Sequence, residues 1–145
     1  MVCFHTHADD ALLRFAVICA RYGEQWLLVR HRERRTWECP GGHREPGEAI
    51  DDAAWRELWE ETGALRFQLH PVCAYSVVTP DAETYGMLYW AEIDELGALP
   101  DFEIAEVRLF EHLPDQWTYP EIQPHLMEKV KNMLETKGAD SDEDL

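Results

Sequence analysis

The sequence predicts a single-domain α/β or α+β sandwich, and three observations carry that expectation. At 145 residues the chain has the length of one domain, enough to bury about 70% of the surface its unfolded form would expose. Apolar residues make up 46% of it and are spread through the first 135 positions. Strand-like segments alternate with two segments of helical periodicity, a pattern that layered α/β architectures satisfy.

Taken in order, LLRFAVICARYG (Leu12 to Gly23) mixes β-branched and aromatic residues and stops at a turn glycine, and QWLLVRHRE follows at once; this reads as a hairpin. TWECPGGHREPGE (Thr36 to Glu48) holds two prolines and three glycines, so it reads as a shaped loop. AIDDAAWRELWEETG has acidic residues in its first turn and Gly63 at its end, which are helix start and stop signals. VCAYSVVTP, TYGMLYWAEI and EVRLFEHL read as further strands. From Tyr119 to Lys137, Ile122, Leu126, Met127, Val130, Met133 and Leu134 recur at helical spacing, with Pro120 at the start and Gly138 after the end, giving a C-terminal helix packed on the sheet. The domain is therefore drawn at 1–137, and GADSDEDL (138–145), acidic and without an apolar anchor, is expected to be a disordered tail.

Composition excludes several classes. No apolar stretch approaches the length of a membrane span, and MVCFHTHADD lacks the basic start and apolar run of a signal peptide; a soluble, cytoplasmic protein is expected. The four cysteines form no CxxC pair, so reduced, buried thiols are expected. A formal charge of −16 and a pI near 4.6 would repel a polyanion and argue against an extensive nucleic-acid surface. A small phosphate-bearing ligand screened by divalent cations remains open.

WRELWEETG (Trp55 to Gly63) crowds Glu57, Glu60 and Glu61 into a wedge of about 100° on one helix face, with Leu58 and Trp55 on the adjoining side, available for the core. Like charges at this spacing near a helix C-terminus oppose helix stability through both mutual repulsion and the macrodipole. Alone, the cluster reads first as a solvated acidic face of an acidic protein and second as a site for a hard cation such as Mg²⁺ or Mn²⁺, which prefer carboxylate oxygens. The preceding residues favour the second reading. Gly42, five residues, Glu48, seven residues, then Arg56, Glu57, Leu58, Trp59, Glu60, Glu61, Thr62, Gly63 and Ala64 resemble the Nudix signature, which runs G-x5-E-x7-R-E-U-x-E-E-x-G-U with U aliphatic. Every fixed glycine and polar position is met, and the one soft departure is the small Ala64. The match covers 23 of the 145 residues.

This resemblance implies a Nudix-like α/β/α sandwich with a mixed sheet, and hydrolysis of a nucleoside diphosphate linked to another group, with water attacking phosphorus in the presence of Mg²⁺ or Mn²⁺. It implies Glu57 and Glu61 as metal ligands, Glu60 next, and the Gly41 carbonyl as a further oxygen. Arg56 and Glu48 become orienting residues, Gly42 and Gly63 structural ones. The general base would come from the helix (Glu57, Glu60) or from a later loop, where DFEIAEV offers Asp101, Glu103 and Glu106, with Glu103 the first choice. WECPGGHREPGE and EIAEVRLFEHLP are similar to small bacterial members assigned as 8-oxo-dGTP diphosphatases. Within the family, ADP-ribose, dinucleoside polyphosphates and RNA 5′ ends are rival substrates. Outside it, a nucleotide-sensing module without turnover and an acidic structural protein are the alternatives. The resemblance leaves monomer and homodimer both open.

Elsewhere, RHRERR, with His31, Arg32, Arg34 and Arg35, is the one dense basic run; it reads as a solvated loop or, because it leads into the motif, as a phosphate contact through Arg32 and Arg34. His43 and Arg44, inside the motif, are candidate substrate contacts. His5 and His7 are assigned to an unstructured end rather than to a metal. Trp26, Trp37 and Trp90 are expected in the core, with stacking on a nucleobase as the alternative; Tyr75 and Tyr85 have the same two readings.

Overall fold

The computed structural model describes residues 1–143, with side chains through 136. Seven strands, β1 (Val2–His5), β2 (Leu13–Tyr22), β3 (Gln25–His31), β4 (Gly41–His43), β5 (Ala64–Val78), β6 (Glu83–Leu96) and β7 (Ile104–Phe110), join helices α1 (Ile50–Thr62) and α2 (Gln123–Glu143). The strands make one mixed sheet in the order β1-β5-β6-β2-β3-β7, with β4 paired to β2. Only β2 and β6 run parallel; the other pairs are antiparallel.

Strand periodicity sorts β2 between two cores. Ala16, Ile18 and Ala20 join Leu27, Val29, Tyr89 and Ile93 under α1, against Ala54 and Leu58. Val17 and Cys19 point the other way, joining Trp26, Leu28, Trp37, Tyr75 and Leu88 under Leu126, Met127 and Val130 of α2. A helix on each face makes the α/β/α sandwich the sequence predicts.

The hairpin forms as expected but does not stay closed. After Ala20–Tyr22 pair with Gln25–Leu27, β2 and β3 separate, and the segment 37–43 enters between them. Glu38 exchanges both backbone hydrogen bonds with Val29, at 2.9 and 3.0 Å, and Ile18 N–H donates to the Pro40 carbonyl at 2.9 Å. The glycine-rich stretch expected as a loop is thus partly a strand, laced on both sides.

Several expectations are corrected. His5 belongs to β1, paired with β5, and its Nε2 lies 2.8 Å from Ser76 Oγ; VCFH is too short to announce itself but completes the edge of a long strand. β5 starts at Ala64, eight residues before the strand read from VCAYSVVTP. Arg66, Gln68, His70 and Pro71 hide it, and the missing Pro71 N–H is accommodated where the ladder shifts register between Pro71 and Cys73. α2 begins at Gln123 rather than at Pro120, which opens a turn whose Tyr119 carbonyl accepts from Ile122 and Gln123; Pro124 takes the first-turn place suited to proline. The helix also continues past Gly138 to Glu143, since one glycine costs a helix only about 1 kcal/mol. The last two residues of the expected acidic tail, and all its side chains, lie outside the described residues. Trp55 is 53% exposed, resting on Phe67 at a ring separation of 5.4 Å rather than in the core. Trp26 and Trp37 are buried, as are Cys19 and Cys39, while Cys3 and Cys73 are half-buried. Among the described residues no helix is long and apolar enough to cross a membrane.

Candidate active site

The site is assembled where β4 passes the C-terminal half of α1. Asp51 and Asp52 occupy the first turn of α1, and Gly63 ends it at φ 78° with its N–H on the Trp59 carbonyl, 2.8 Å away, the left-handed conformation glycine adopts without strain. Two glycines let the strand come close to the helix. A Cβ on Gly41 would fall 2.3 Å from the Ala16 carbonyl oxygen, and one on Gly42 would fall 2.5 Å from the carboxyl carbon of Glu57. Ladder bonds at Ile18–Pro40 and Arg14–Arg44 set a parity that turns the Gly41 backbone groups away from β2. Its N–H donates to Glu61 Oε1 at 2.8 Å, and its carbonyl is likewise off the ladder.

Arg56 is the hub. Its Nε and Nη2 fork onto the two Glu48 oxygens at 2.8 and 2.9 Å. Nη1 donates to Glu57 at 2.8 Å and reaches Glu60 at 3.4 Å, and Nη2 also donates to the His43 carbonyl at 3.1 Å. One planar cation therefore ties the loop at Glu48, the strand at His43 and the helix carboxylates into one unit. The bond to Arg56 holds the Glu48 carboxyl down at about 2, and Glu48 in turn raises the guanidinium further above its already high value.

The helix carboxylates experience the opposite influence. Burial pushes the Glu61 carboxyl up to about 8, the Gly41 N–H offsetting only part of it and the charges of Glu57, Glu38 and Glu103 adding to it. Burial raises Glu57 as well, against the pull of Arg56. Glu38, 7% exposed, is raised by burial too, and its Oε1 is buried without a hydrogen-bond partner. Buried carboxylates with so little compensation fit a hard divalent cation, which favours the ionised oxygens that burial disfavours. Glu57, Glu60, Glu61 and the Gly41 carbonyl are the oxygens that would hold it. Among the described residues no three such side chains already stand in coordinating geometry; Arg56 spans Glu57 and Glu60 instead.

A cleft of about 690 Å³ opens over this cluster. Glu38, Gly41, Gly42, Glu57 and Glu61 form its acidic end, and Phe15, Tyr75, Val77, Tyr119 and Ile122 its apolar end. Of the residues singled out for substrate, His43 and Arg44 line the cleft. Arg32 does not, pairing with Asp101; Arg34 lies over the Tyr119 ring, 5.7 Å from its centroid, outside the lining. Arg44 is itself held by Asp10 at 3.1 Å. Glu103 reaches the cleft edge, while Glu106 is tied to Arg108 and Arg30 on β7. Tyr85 is outside, bonded to Glu83.

Three residues were not on the sequence's list of site candidates. His31 reads in the sequence only as part of the basic run, yet its imidazole meets Glu38, Glu61 and Glu103 at 3.5 to 3.8 Å. Glu38 stands three residues before Gly41, in the stretch that reads as a loop, and nothing in the sequence sets it apart from the chain's other acidic residues. Gln123, 5% exposed, accepts the Cys39 N–H on Oε1 at 2.7 Å and borders the apolar end; nothing in the sequence separates it from other helix-start polar residues.

Residues 12–128 match the family model described as the NUDIX domain. The chain belongs to the Nudix hydrolase family. Glu57, Glu60 and Glu61 are thus carried on its Nudix helix, α1. Over 100 residues the chain is 41% identical to the putative 8-oxo-dGTP diphosphatase YtkD of Bacillus subtilis, a match covering 68% of this chain and 62% of that protein. It is 31% identical over 84 residues to the phosphatase NudJ of Escherichia coli, covering 55% of each. The chain thus spans about three fifths of the length of these curated relatives. Among solved structures, the Bacillus subtilis pyrophosphohydrolase BsRppH superposes with a TM-score of 0.76 at 28% identity, covering 91% of this chain and 90% of that one. The Nudix domain of Shewanella oneidensis NrtR, solved with ADP-ribose, shares the fold at a TM-score of 0.68 and 15% identity, over 87% of this chain and 90% of that one.

Proposed function

We propose that this Nudix protein is a Mg²⁺-dependent pyrophosphohydrolase whose substrate is a nucleoside triphosphate of the 8-oxo-dGTP class, cleaved to the monophosphate and pyrophosphate. The observation that carries the proposal is the convergence of Glu57 and Glu61, one helical turn apart, on the Gly41–Gly42 backbone at the acidic end of a cleft whose other end is apolar. When bound, Mg²⁺, or Mn²⁺ in its place, supplies the positive charge that the phosphoryl oxygens of the transition state require. Arg56, forked on Glu48, orients Glu57 and Glu60 beside the cleft. Glu103, at the cleft edge, takes the proton of the attacking water. His43 and Arg44 face the phosphate chain, and the apolar wall of Phe15, Tyr75 and Val77 receives the base.

The 41% identity to YtkD supports the oxidised-nucleotide class. Likeness to BsRppH over 91% of the chain favours a second reading, hydrolysis at an RNA 5′ end, against which the net charge of −16 weighs. The proposal carries with it a cytoplasmic location, where the thiols stay reduced.

A turnover screen decides between them: ordinary and oxidised nucleoside triphosphates, ADP-ribose, dinucleoside polyphosphates and 5′-triphosphate RNA, with Mg²⁺, reading pyrophosphate against phosphate, and Glu61→Gln as control. The expected result is the highest kcat/KM on an oxidised purine triphosphate with pyrophosphate released, lost in the variant. Nucleotide binding without turnover on any substrate would overturn it in favour of a sensing module.

A further inference from the structure

The ladder between β3 and β7 carries one extra residue, Ala105, on β7, so that Arg30 faces Glu106 while His31 faces Ile104. A bulge of this kind re-aims side chains at the edge of a site. Here it brings Glu103 opposite Arg32, whose N–H donates to the Glu103 carbonyl at 3.0 Å. His31 shares the parity of Leu27 and Val29, both in the core beneath α1, and so points toward α1. Its Nε2 stands 3.5 Å from Glu61 and 3.6 Å from Glu38, and its Nδ1 stands 3.8 Å from Glu103.

The three carboxylates come from three different pieces of chain, and they differ sharply in freedom. Glu38 and Glu61 are buried side chains, 9% and 8% exposed, whereas the Glu103 side chain is 83% exposed. Among the described residues Glu103 has no side-chain partner other than His31. A carboxylate on an exposed loop samples many rotamers, and one aromatic ring already seated on two buried groups gives it a fixed reference.

We propose that His31 is a positioning residue, which holds Glu103 of the loop before β7 against the box carboxylate Glu61, so that the two sides of the cleft act at a set distance. The inference rests on the hydrolase reading above, in which Glu103 meets the attacking water. His31 then acts only through Glu103, and its removal affects the chemical step rather than substrate binding.

A double-mutant cycle tests this, with wild type, His31→Ala, Glu103→Gln and the double variant assayed for kcat and KM on the best substrate of the screen, each checked for cooperative melting. The expected result is a kcat lowered about tenfold or more in each single variant, KM within about twofold, and a double variant no slower than Glu103→Gln, because each single change already breaks the same linkage. His31→Gln, which keeps one donor, is expected to retain part of kcat and serves in the cycle if His31→Ala does not fold. Multiplying effects, a change in KM alone, or undiminished kcat in either single variant would overturn the inference while leaving the hydrolase intact. Wild-type protein that turns over no substrate would overturn the hydrolase reading itself.

Discussion

Replacing Glu61 by glutamine should abolish turnover and yet stabilise the protein in EDTA, increasingly so as pH rises. The glutamine oxygen can still accept the Gly41 N–H that now bonds Glu61 at 2.8 Å, so the change removes mainly a charge. That charge is held in a buried position, with the carboxyl raised from 4.5 to about 8. Between these two values the folded chain binds a proton that the unfolded chain has released, so wild-type stability falls as pH climbs through this window. At about 1.36 kcal/mol per pH unit the cost is negligible near pH 4.5, about 3 kcal/mol at pH 7 and at most about 5 kcal/mol above pH 8. For a chain of this length about 3 °C accompanies each kcal/mol, so the variant should melt about 10 °C higher at pH 7. Burial raises Glu38 and Glu57 as well, so both add to the wild-type loss of stability with rising pH. Thermal melts by circular dichroism at pH 5, 7 and 9 in EDTA, then in Mg²⁺, check the expectation; Mg²⁺ should restore the wild type and leave the variant unmoved. Equal melting temperatures at pH 9, or a gap that does not widen between pH 5 and 7, would refute the claim that burial disfavours the ionised form of Glu61.

Other outcomes follow from the same geometry. Arg56→Lys keeps the charge but loses the fork onto Glu48, and steady-state kinetics should show kcat/KM reduced about 10- to 100-fold. Gly42→Ala places a methyl 2.5 Å from the Glu57 carboxyl carbon; displacing that carboxylate should weaken Mn²⁺ affinity about tenfold or more, read by electron paramagnetic resonance titration. Gln123→Leu leaves the buried Cys39 N–H without its acceptor, and denaturant unfolding should show a loss of about 1–3 kcal/mol. Glu48→Gln removes a carboxylate held near 2 by Arg56. Stability from that ion pair is present above pH 4.5 and lost as pH falls toward 2, so the variant's acid-unfolding midpoint, followed by tryptophan fluorescence, should differ less from neutral behaviour than the wild type's.

Much of the fold was legible because period and punctuation agreed. α1 had acidic residues first, Gly63 last and Leu58 on its inner face, and every one of those signals was local. What escaped detection depended on partners far away in sequence. β1 is four residues long and is a strand only because Val77, Ser76, Tyr75 and Ala74 lie beside it. The first half of β5 alternates Arg66, Gln68 and His70 with Phe67 and Leu69, which pack on the core under α1, and the polar half of that alternation masked it. In the site, the spacing from Gly42 to Gly63 predicted which side chains α1 would present together, and Arg56 does join Glu48, Glu57 and Glu60. Spacing could not reach across the cleft. Glu38 becomes a neighbour of His31 and Glu61 through the parting of β2 from β3, and the bulge on β7 sets Glu103 beside them; neither event is written in a short motif. Arg32 and Arg34, expected at the phosphates for their charge and their place before the motif, have partners in Asp101 and Tyr119 that sequence distance conceals.

The segment 37–43 inserted between β2 and β3 also decides where this protein can acquire new specificity. Pro40, Glu38 and Arg44 are each bonded to a neighbouring strand, so lengthening or shortening this stretch would break sheet pairing before it altered ligand choice. Across the cleft the side chains of Tyr119 and Ile122 line it from the turn that enters α2, outside the strand ladders, whereas Thr84 is paired with Val77. Sequence variation that retunes the ligand should therefore accumulate on that turn, while the catalytic margin is inherited as a fixed block, and libraries built for altered substrates should be confined accordingly.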